Sequence, residues 1–239
     1  MTNLKPTMFI FIGKEGKQKG GTSIHQVGLG VVILAGGQGR RMGRDKALLE
    51  LCGKPLLLHV VENVLRLQPE KIVVAVERGS INRYYSILPS CVNLSEDLIE
   101  GKGPLVGMIS GMRSINSMYT LVLPCDTPFI KPSVLRFLHQ KVSLGVDAVI
   151  PRWPNGYIEP LQAFYRTSSA LKAAEEALNR DKRSCRDMIR LLNKVVYVNV
   201  DELRRFDPYL VTFFNVNSGE DLFRAEKFLR GILLSPYQI

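Results

Sequence analysis

The most reactive-looking stretch of the chain runs Leu34-Ala35-Gly36-Gly37-Gln38-Gly39-Arg40-Arg41-Met42-Gly43-Arg44-Asp45-Lys46. Four glycines sit beside four cations, Arg40, Arg41, Arg44 and Lys46. A glycine-rich turn exposes backbone N–H groups, and such groups cradle phosphates. With the cations added, the segment suits a polyphosphate; the plainer reading is a basic surface loop. Two familiar phosphate motifs do not fit it. A dinucleotide fingerprint needs G-x-G-x-x-G, but Gly37-x-Gly39 is followed by Gly43, one residue late. A Walker A loop needs Gly-Lys-[Ser/Thr], but Gly43 precedes Arg44, and Lys46 precedes Ala47.

A second segment, Leu121-Val122-Leu123-Pro124-Cys125-Asp126-Thr127-Pro128-Phe129, leads an apolar run into a carboxylate held between two prolines. Such a carboxylate suits Mg²⁺, which takes one or two protein carboxylates and fills its shell with phosphate oxygens and water. Read alone, Asp126 is equally a turn residue capping a helix near 127–130. In a third segment, Ser95-Glu96-Asp97 precedes Gly101, Gly103 and Pro104. Asp97 could accept hydrogen bonds from a base or a ribose, or the segment is an acidic loop before a helix.

These segments need elements to position them, and the apolar pattern supplies a set. Short β-branched or apolar runs at 31–34, 72–76, 92–94, 119–123 and 148–150 predict buried strands. Between them, helices are expected at 55–67, 104–114 and 132–142, with Pro55 at a first helical position and a short helix at 81–88. Further on, strands are expected at 159–165 and 195–200, and helices at 168–179, 184–192 and 219–230. Alternating strands and helices imply right-handed β-α-β units, hence an α/β fold with a mainly parallel central sheet. Ligands of such sheets bind beyond the carboxyl ends of the strands. Leu34, Leu94 and Leu123 stand at such ends, just before the three segments.

Composition bounds the rest. The chain has 239 residues, 46% hydrophobic and 23% charged, with a net charge of +10. That is a globular composition, and no apolar run approaches the roughly 18 residues that span a bilayer. Residues 1–28, rich in glycine and lysine, are expected to be a disordered extension, with the functional domain at 29–239. Cys52, Cys91, Cys125 and Cys185 are widely separated, which argues against a zinc site or a disulfide framework and for a reduced, cytoplasmic protein. The apolar run 8–12 is shorter than a signal-peptide core. Neither basic clusters nor aromatic platforms of a nucleic-acid binder are evident. No nucleic acid or membrane is expected as partner; the excess charge points to an anionic small molecule.

The combination L-A-G-G-x-G-x-R-M-G-x-D-K, E-D…G-P-L and P-C-D-T-P resembles the molybdenum cofactor guanylyltransferase family, over roughly residues 30–230. The resemblance implies a Rossmann-like three-layer domain of the nucleotide-diphospho-sugar transferase type and an Mg²⁺-dependent reaction. GMP would pass from GTP to the phosphate of molybdopterin, giving the guanine dinucleotide cofactor and pyrophosphate. It also implies roles. Leu34, Ala35, Gly36 and Gly37 would contact GTP, Lys46 its phosphates and Asp97 its nucleoside. Asp126 would hold nucleotide and metal. Lys46, Arg41 and Asp126 would form the catalytic set. Phe214-Asn215-Val216-Asn217 through Leu222 matches the family's F-x-N-x-N segment, making Asn215 and Asn217 pterin-side candidates; alone, it reads as a helix start. Trp153-Pro154-Asn155-Gly156 through Leu161 resembles the acceptor-side region. Molybdoenzyme maturation proteins are possible partners.

One departure stands out. Some members place an asparagine at the position of Ala75 and use it on GTP; here that contact is absent or passes to Glu77 or backbone. His25, His59 and His139 lie outside every motif. The alternatives are a cytidylyltransferase for molybdopterin, a corrinoid-phosphate guanylyltransferase, a sugar-phosphate enzyme, or a non-catalytic nucleotide-binding maturation protein.

Overall fold

The structure, a computed structural model, describes residues 28–36, 45–97 and 103–237. Arg41 and Gly37, and almost all of the expected extension, lie outside the described residues.

The chain forms β1 (Leu29–Leu34), β2 (Glu50–Leu51), β3 (Lys54–Pro55), α1 (Leu56–Leu65), β4 (Lys71–Val76), β5 (Val92–Glu96), α2 (Pro104–Met112), β6 (Tyr119–Pro124) and α3 (Pro132–Gln140). It continues with β7 (Ala148–Arg152), β8 (Ala163–Arg166), α4 (Thr167–Asn179), α5 (Cys185–Ile189), β9 (Val195–Asn199) and α6 (Gly219–Leu229). Seven strands form one sheet in the order β5-β4-β1-β6-β8-β7-β9. All pair in parallel except β8, which runs against both β6 and β7.

The central strands are apolar throughout because both faces of the sheet are covered. Alternate residues point to opposite sides. Val31, Ile33, Ile72, Val74, Leu121 and Leu123 pack with Val60 and Val64 of α1 and Leu135 and Leu138 of α3. Val32, Leu34, Val73, Ala75 and Val122 pack with Leu105 and Met108 of α2, Ala174 of α4 and Met188 of α5. The result is the expected three-layer arrangement. α2 approaches β1 closely: a Cβ on Gly111 would lie 2.5 Å from Val32 Cγ1. A third cluster joins Leu51, Leu56, Phe129, Phe214, Val216 and Ala225, which docks α6 beside β2.

Several boundaries differ from expectation. The two-residue strands β2 and β3 form a hairpin that periodicity cannot show. Its turn, Cys52-Gly53, has φ of 51° and 77°, the left-handed pair that a two-residue hairpin favours. Pro55 therefore closes β3 and caps α1 instead of starting it. The strand expected at 159–165 begins at Ala163, because Glu159 to Gln162 make a turn closed by Gln162 N–H to Glu159 C=O, 3.2 Å. The helix expected at 184–192 stops at Ile189, and Leu191 and Leu192 bond three residues back in tighter turns. At 81–88 only Ile81–Arg83 is helical, as one 3₁₀ turn. Among the described residues no helix is long and apolar enough to cross a membrane.

Candidate active site

The carboxyl ends of β1, β4, β5 and β6 lie side by side, as the order β5-β4-β1-β6 requires. Each chain leaves the sheet still tied to its neighbour. Ala35 N–H donates to Ala75 C=O (2.8 Å), Asp97 N–H to Val76 C=O (2.8 Å), and Cys125 N–H to Leu34 C=O (3.1 Å). These bonds fix where the motif residues emerge.

Lys46 opens a 3₁₀ turn, Lys46–Leu48, capped by Asp45, whose Oδ1 accepts from Ala47 N–H at 3.1 Å. From there Lys46 Nζ reaches Asp126 Oδ2 at 3.3 Å and Asn217 Oδ1 at 2.7 Å. Three distant motifs thus meet on one ammonium. Asp126 does not cap a helix. It is mostly buried, and its Oδ1 has no hydrogen-bond partner among the described residues. Burial pushes its carboxyl pKa upward, with Lys46 working against that push.

The Asn215 and Asn217 side chains diverge. Asn217 faces Lys46, while Asn215 Nδ2 donates back to Phe213 C=O at 3.0 Å. Between them Val216, fully buried, donates its N–H to Asp126 C=O at 2.9 Å, which ties this segment to the turn after β6. Ser218 caps α6 by accepting from Asp221 N–H, and Asp221 in turn accepts from Asn217 N–H. The helix start read from sequence is real, and it holds Asn217 in place.

Asp97 stands on the other side. Its Oδ1 is buried without a hydrogen-bond partner among the described residues. Burial, and then the charge of Glu77, raise its pKa to about 6. Gly36 lies against it: a Cβ there would be 3.1 Å from Asp97 Oδ2 and 3.4 Å from Glu77 N. Gly107 lines the same space, where a Cβ would be 3.5 Å from Asp97 Oδ1. Leu34 is buried, its side chain beside Gly107. Ala75 is buried too, and its carbonyl is committed to Ala35 N–H. The charge of Glu77 acts on Asp97, so Glu77 stands near the same side of the site.

The acceptor-like region forms a tight turn, with Gly156 N–H donating to Trp153 C=O at 2.9 Å. Trp153 Nε1 donates to Glu159 Oε1 at 2.7 Å, and its ring meets Phe213 edge-on at 5.6 Å. That packing sets it beside the segment carrying Asn217.

Of the histidines, His25 lies outside the described residues. His59 contacts Leu51 C=O at 3.0 Å, and the His139 ring packs on Phe164. Sequence reading missed Tyr84, whose hydroxyl donates to Asp45 Oδ2 at 2.6 Å. Nothing in spacing separates it from Tyr85, yet Tyr84 is 1% exposed and Tyr85 65%.

Could the site hold a metal? Among the described residues, no three His, Cys, Asp or Glu side chains converge as a metal cage. A single buried carboxylate with a free oxygen, such as Asp126, still fits Mg²⁺ bound chiefly through substrate phosphates.

Comparison with known proteins identifies the family and the fold. A family model described as the MobA-like NTP transferase domain matches residues 31–196. A protein of Methanosarcina mazei named probable molybdenum cofactor guanylyltransferase is 37% identical over 196 residues, covering 80% of this chain and 87% of that protein. The crystal structure of molybdopterin-guanine dinucleotide biosynthesis protein A from Archaeoglobus fulgidus superposes with a TM-score of 0.71 at 35% identity, covering 84% of this chain and 99% of that one. A 4-diphosphocytidyl-2C-methyl-D-erythritolsynthase from Anaerococcus prevotii has a TM-score of 0.65 at 12% identity, covering 86% of this chain and 99% of that one, a likeness of fold alone. The fold is the nucleotide-diphospho-sugar transferase-like α/β type.

Proposed function

The chain belongs to the MobA-like NTP transferase family and is a nucleotidyltransferase; on that premise we propose that it transfers GMP from GTP to the terminal phosphate of molybdopterin and releases pyrophosphate. The observation that carries this reading is the convergence on Lys46. One ammonium joins the end of the glycine loop, the carboxylate after β6 and the asparagine before α6. A site that holds a triphosphate at one side and a phosphorylated acceptor at the other needs a cation at such a junction.

The chemistry is an in-line attack by a phosphate oxygen of molybdopterin on the α-phosphorus of GTP. The new P–O bond forms as the bond to pyrophosphate breaks. Both reactants are anions, so their repulsion is the main obstacle. Lys46 would neutralise charge on the α-phosphate and on the leaving group, aided by Arg41 and the amides of Gly36 and Gly37. Asp126 would hold Mg²⁺, which when bound supplies further neutralisation of the phosphates. The attacking phosphate is already ionised at neutral pH, so no side chain need remove a proton. Asp97 would accept from guanine N1–H and its amino group. Asn217, fixed by the capping of α6, would orient Lys46 and face the acceptor.

Calorimetry with GTP, CTP and ATP in the presence of Mg²⁺ tests the nucleotide half of this reading. GTP is expected to bind and CTP and ATP to bind far more weakly. Preference for CTP would transfer the reading to a cytidylyltransferase. Binding of GTP with no pyrophosphate release in the presence of molybdopterin would make the protein a nucleotide-binding module.

A further inference from the structure

We propose that Tyr84 is a positioning residue for Lys46, its hydroxyl holding Asp45 at the exit of the glycine loop. The inference rests on reading Lys46 as the phosphate ligand.

Tyr84 lies in the turns that follow β4, remote in sequence from both of its partners. Its hydroxyl donates to Asp45 Oδ2 at 2.6 Å and lies 3.3 Å from Ala35 C=O. Ala35 is the first residue after β1, and Asp45 immediately precedes Lys46. One buried phenol therefore spans the entry to the loop and its exit. Bonds of this length from a hydroxyl to a carboxylate belong to the stronger, charge-assisted kind. Burial, and then the bond to Asp45, push the phenol pKa upward, so the group remains a donor at working pH.

The bond passes its constraint to Lys46 through Asp45. Asp45 Oδ1 accepts from Ala47 N–H while Oδ2 accepts from Tyr84. Asp45 is held from both sides, and the backbone of Lys46 lies between Asp45 and Ala47. The Lys46 side chain then has a fixed base from which to reach Asp126 and Asn217. The turn before Tyr84 is tied to β5: Glu96 Oε1 accepts from Gly79 N–H at 3.0 Å and from Ile81 N–H at 3.4 Å. Tyr84 N–H in turn donates to Ile81 C=O at 3.1 Å.

A tyrosine ring could fill this part of the core without its hydroxyl, so the discriminating variant is Tyr84→Phe. Affinity for Mg²⁺·GTP, pyrophosphate release with molybdopterin, and thermal unfolding are measured for wild type, Tyr84→Phe, Lys46→Ala and the double variant. Tyr84→Phe is expected to weaken GTP binding and to lower turnover, by about tenfold, the scale of a lost hydrogen bond to a charged group. In the Lys46→Ala background the same substitution is expected to change GTP affinity by less than about twofold, because the two act as one unit. A purely structural hydroxyl would lower Tm equally in both backgrounds and leave affinity unchanged well below Tm. Unchanged GTP affinity in folded Tyr84→Phe, or an equal loss with and without Lys46, overturns the inference. Should Tyr84→Phe fail to fold, Asp45→Asn carries the same cycle, since it removes the charge that the phenol meets. A wild-type protein that binds GTP but transfers nothing to molybdopterin sinks the acceptor reading and leaves the affinity cycle to decide for Tyr84. A wild-type protein that binds no nucleotide overturns both.

Discussion

Lys46 and Asp126 stand 80 residues apart in the chain, yet Lys46 Nζ lies 3.3 Å from Asp126 Oδ2 across the ends of β1 and β6. Asp126 uses one oxygen for this contact, and its other oxygen is buried with no hydrogen-bond partner among the described residues. On the proposed reading the pair would offer a cation to phosphate and a carboxylate oxygen to a metal.

Removing the cation is expected to cost the reaction more than the fold. Lys46→Ala should lower turnover on the order of 100-fold, as losing one preorganised electrostatic contact does. Steady-state pyrophosphate release measures this. Near-wild-type turnover in a folded variant would remove Lys46 from the chemistry.

Asp126→Asn keeps the shape and removes the charge. Turnover should fall by a similar factor, on the order of 100-fold, and added Mg²⁺ should not restore it. Metal-free GTP binding should hold or tighten, since Lys46 is released from its carboxylate partner. A Mg²⁺ titration of turnover that matches wild type would contradict the metal role.

If Asp97 accepts from guanine, as proposed, GTP affinity is expected to depend on pH. Burial and Glu77 raise its folded pKa to about 6, above the ordinary 3.8. The raised value means that the neutral acid suits the empty protein better. Its contribution to stability is therefore present below pH 3.8 and lost as pH rises through 6. As an acceptor for guanine, however, Asp97 must be ionised. GTP affinity is expected to rise with pH through this range, and Asp97→Asn to flatten the profile. The same variant should raise Tm of the nucleotide-free protein at neutral pH while weakening GTP binding. Calorimetry and thermal unfolding at several pH values check both signs.

The two asparagines before α6 should separate in kinetics. Asn217 bonds Lys46, whereas Asn215 is turned toward Phe213 C=O. Asn217→Ala should lower turnover about tenfold with Tm little changed. Asn215→Ala should act mainly through Tm, because it frees a backbone carbonyl inside the segment.

Gly111→Ala tests the packing that places α2. The added Cβ would meet Val32 Cγ1 at 2.5 Å. Overpacking of this kind costs about 1–3 kcal/mol, offset by about 1 kcal/mol of gained helix propensity. A net loss on the order of 1 kcal/mol is expected in chemical denaturation.

Much of this site was legible in the chain before folding. Runs such as 31–34 and 72–76 show buried strands directly, because strands covered on both faces need no polar alternation. Residues that follow such strands, Asp97 and Asp126 among them, are marked by position alone. Features set by packing were not legible. The Cys52-Gly53 turn depends on backbone angles that a Cys-Gly pair does not announce. Asn215 and Asn217 look equivalent in sequence, and only the docking of Val216 under Asp126 turns one toward Lys46. Tyr84 required the fold because its partners, Asp45 and Ala35, come from another strand end. Arg41 and Gly37, read from the same loop, lie outside the described residues, so the part assigned to them stays a proposal.

The most direct measurement is the product itself. Purified protein is incubated with Mg²⁺, molybdopterin and GTP, CTP or ATP, with pyrophosphate counted and the pterin product weighed by mass spectrometry. The account predicts one pyrophosphate for each guanine dinucleotide formed, with GTP strongly preferred and no release without acceptor. Equal product from CTP, or pyrophosphate release independent of molybdopterin, would contradict it.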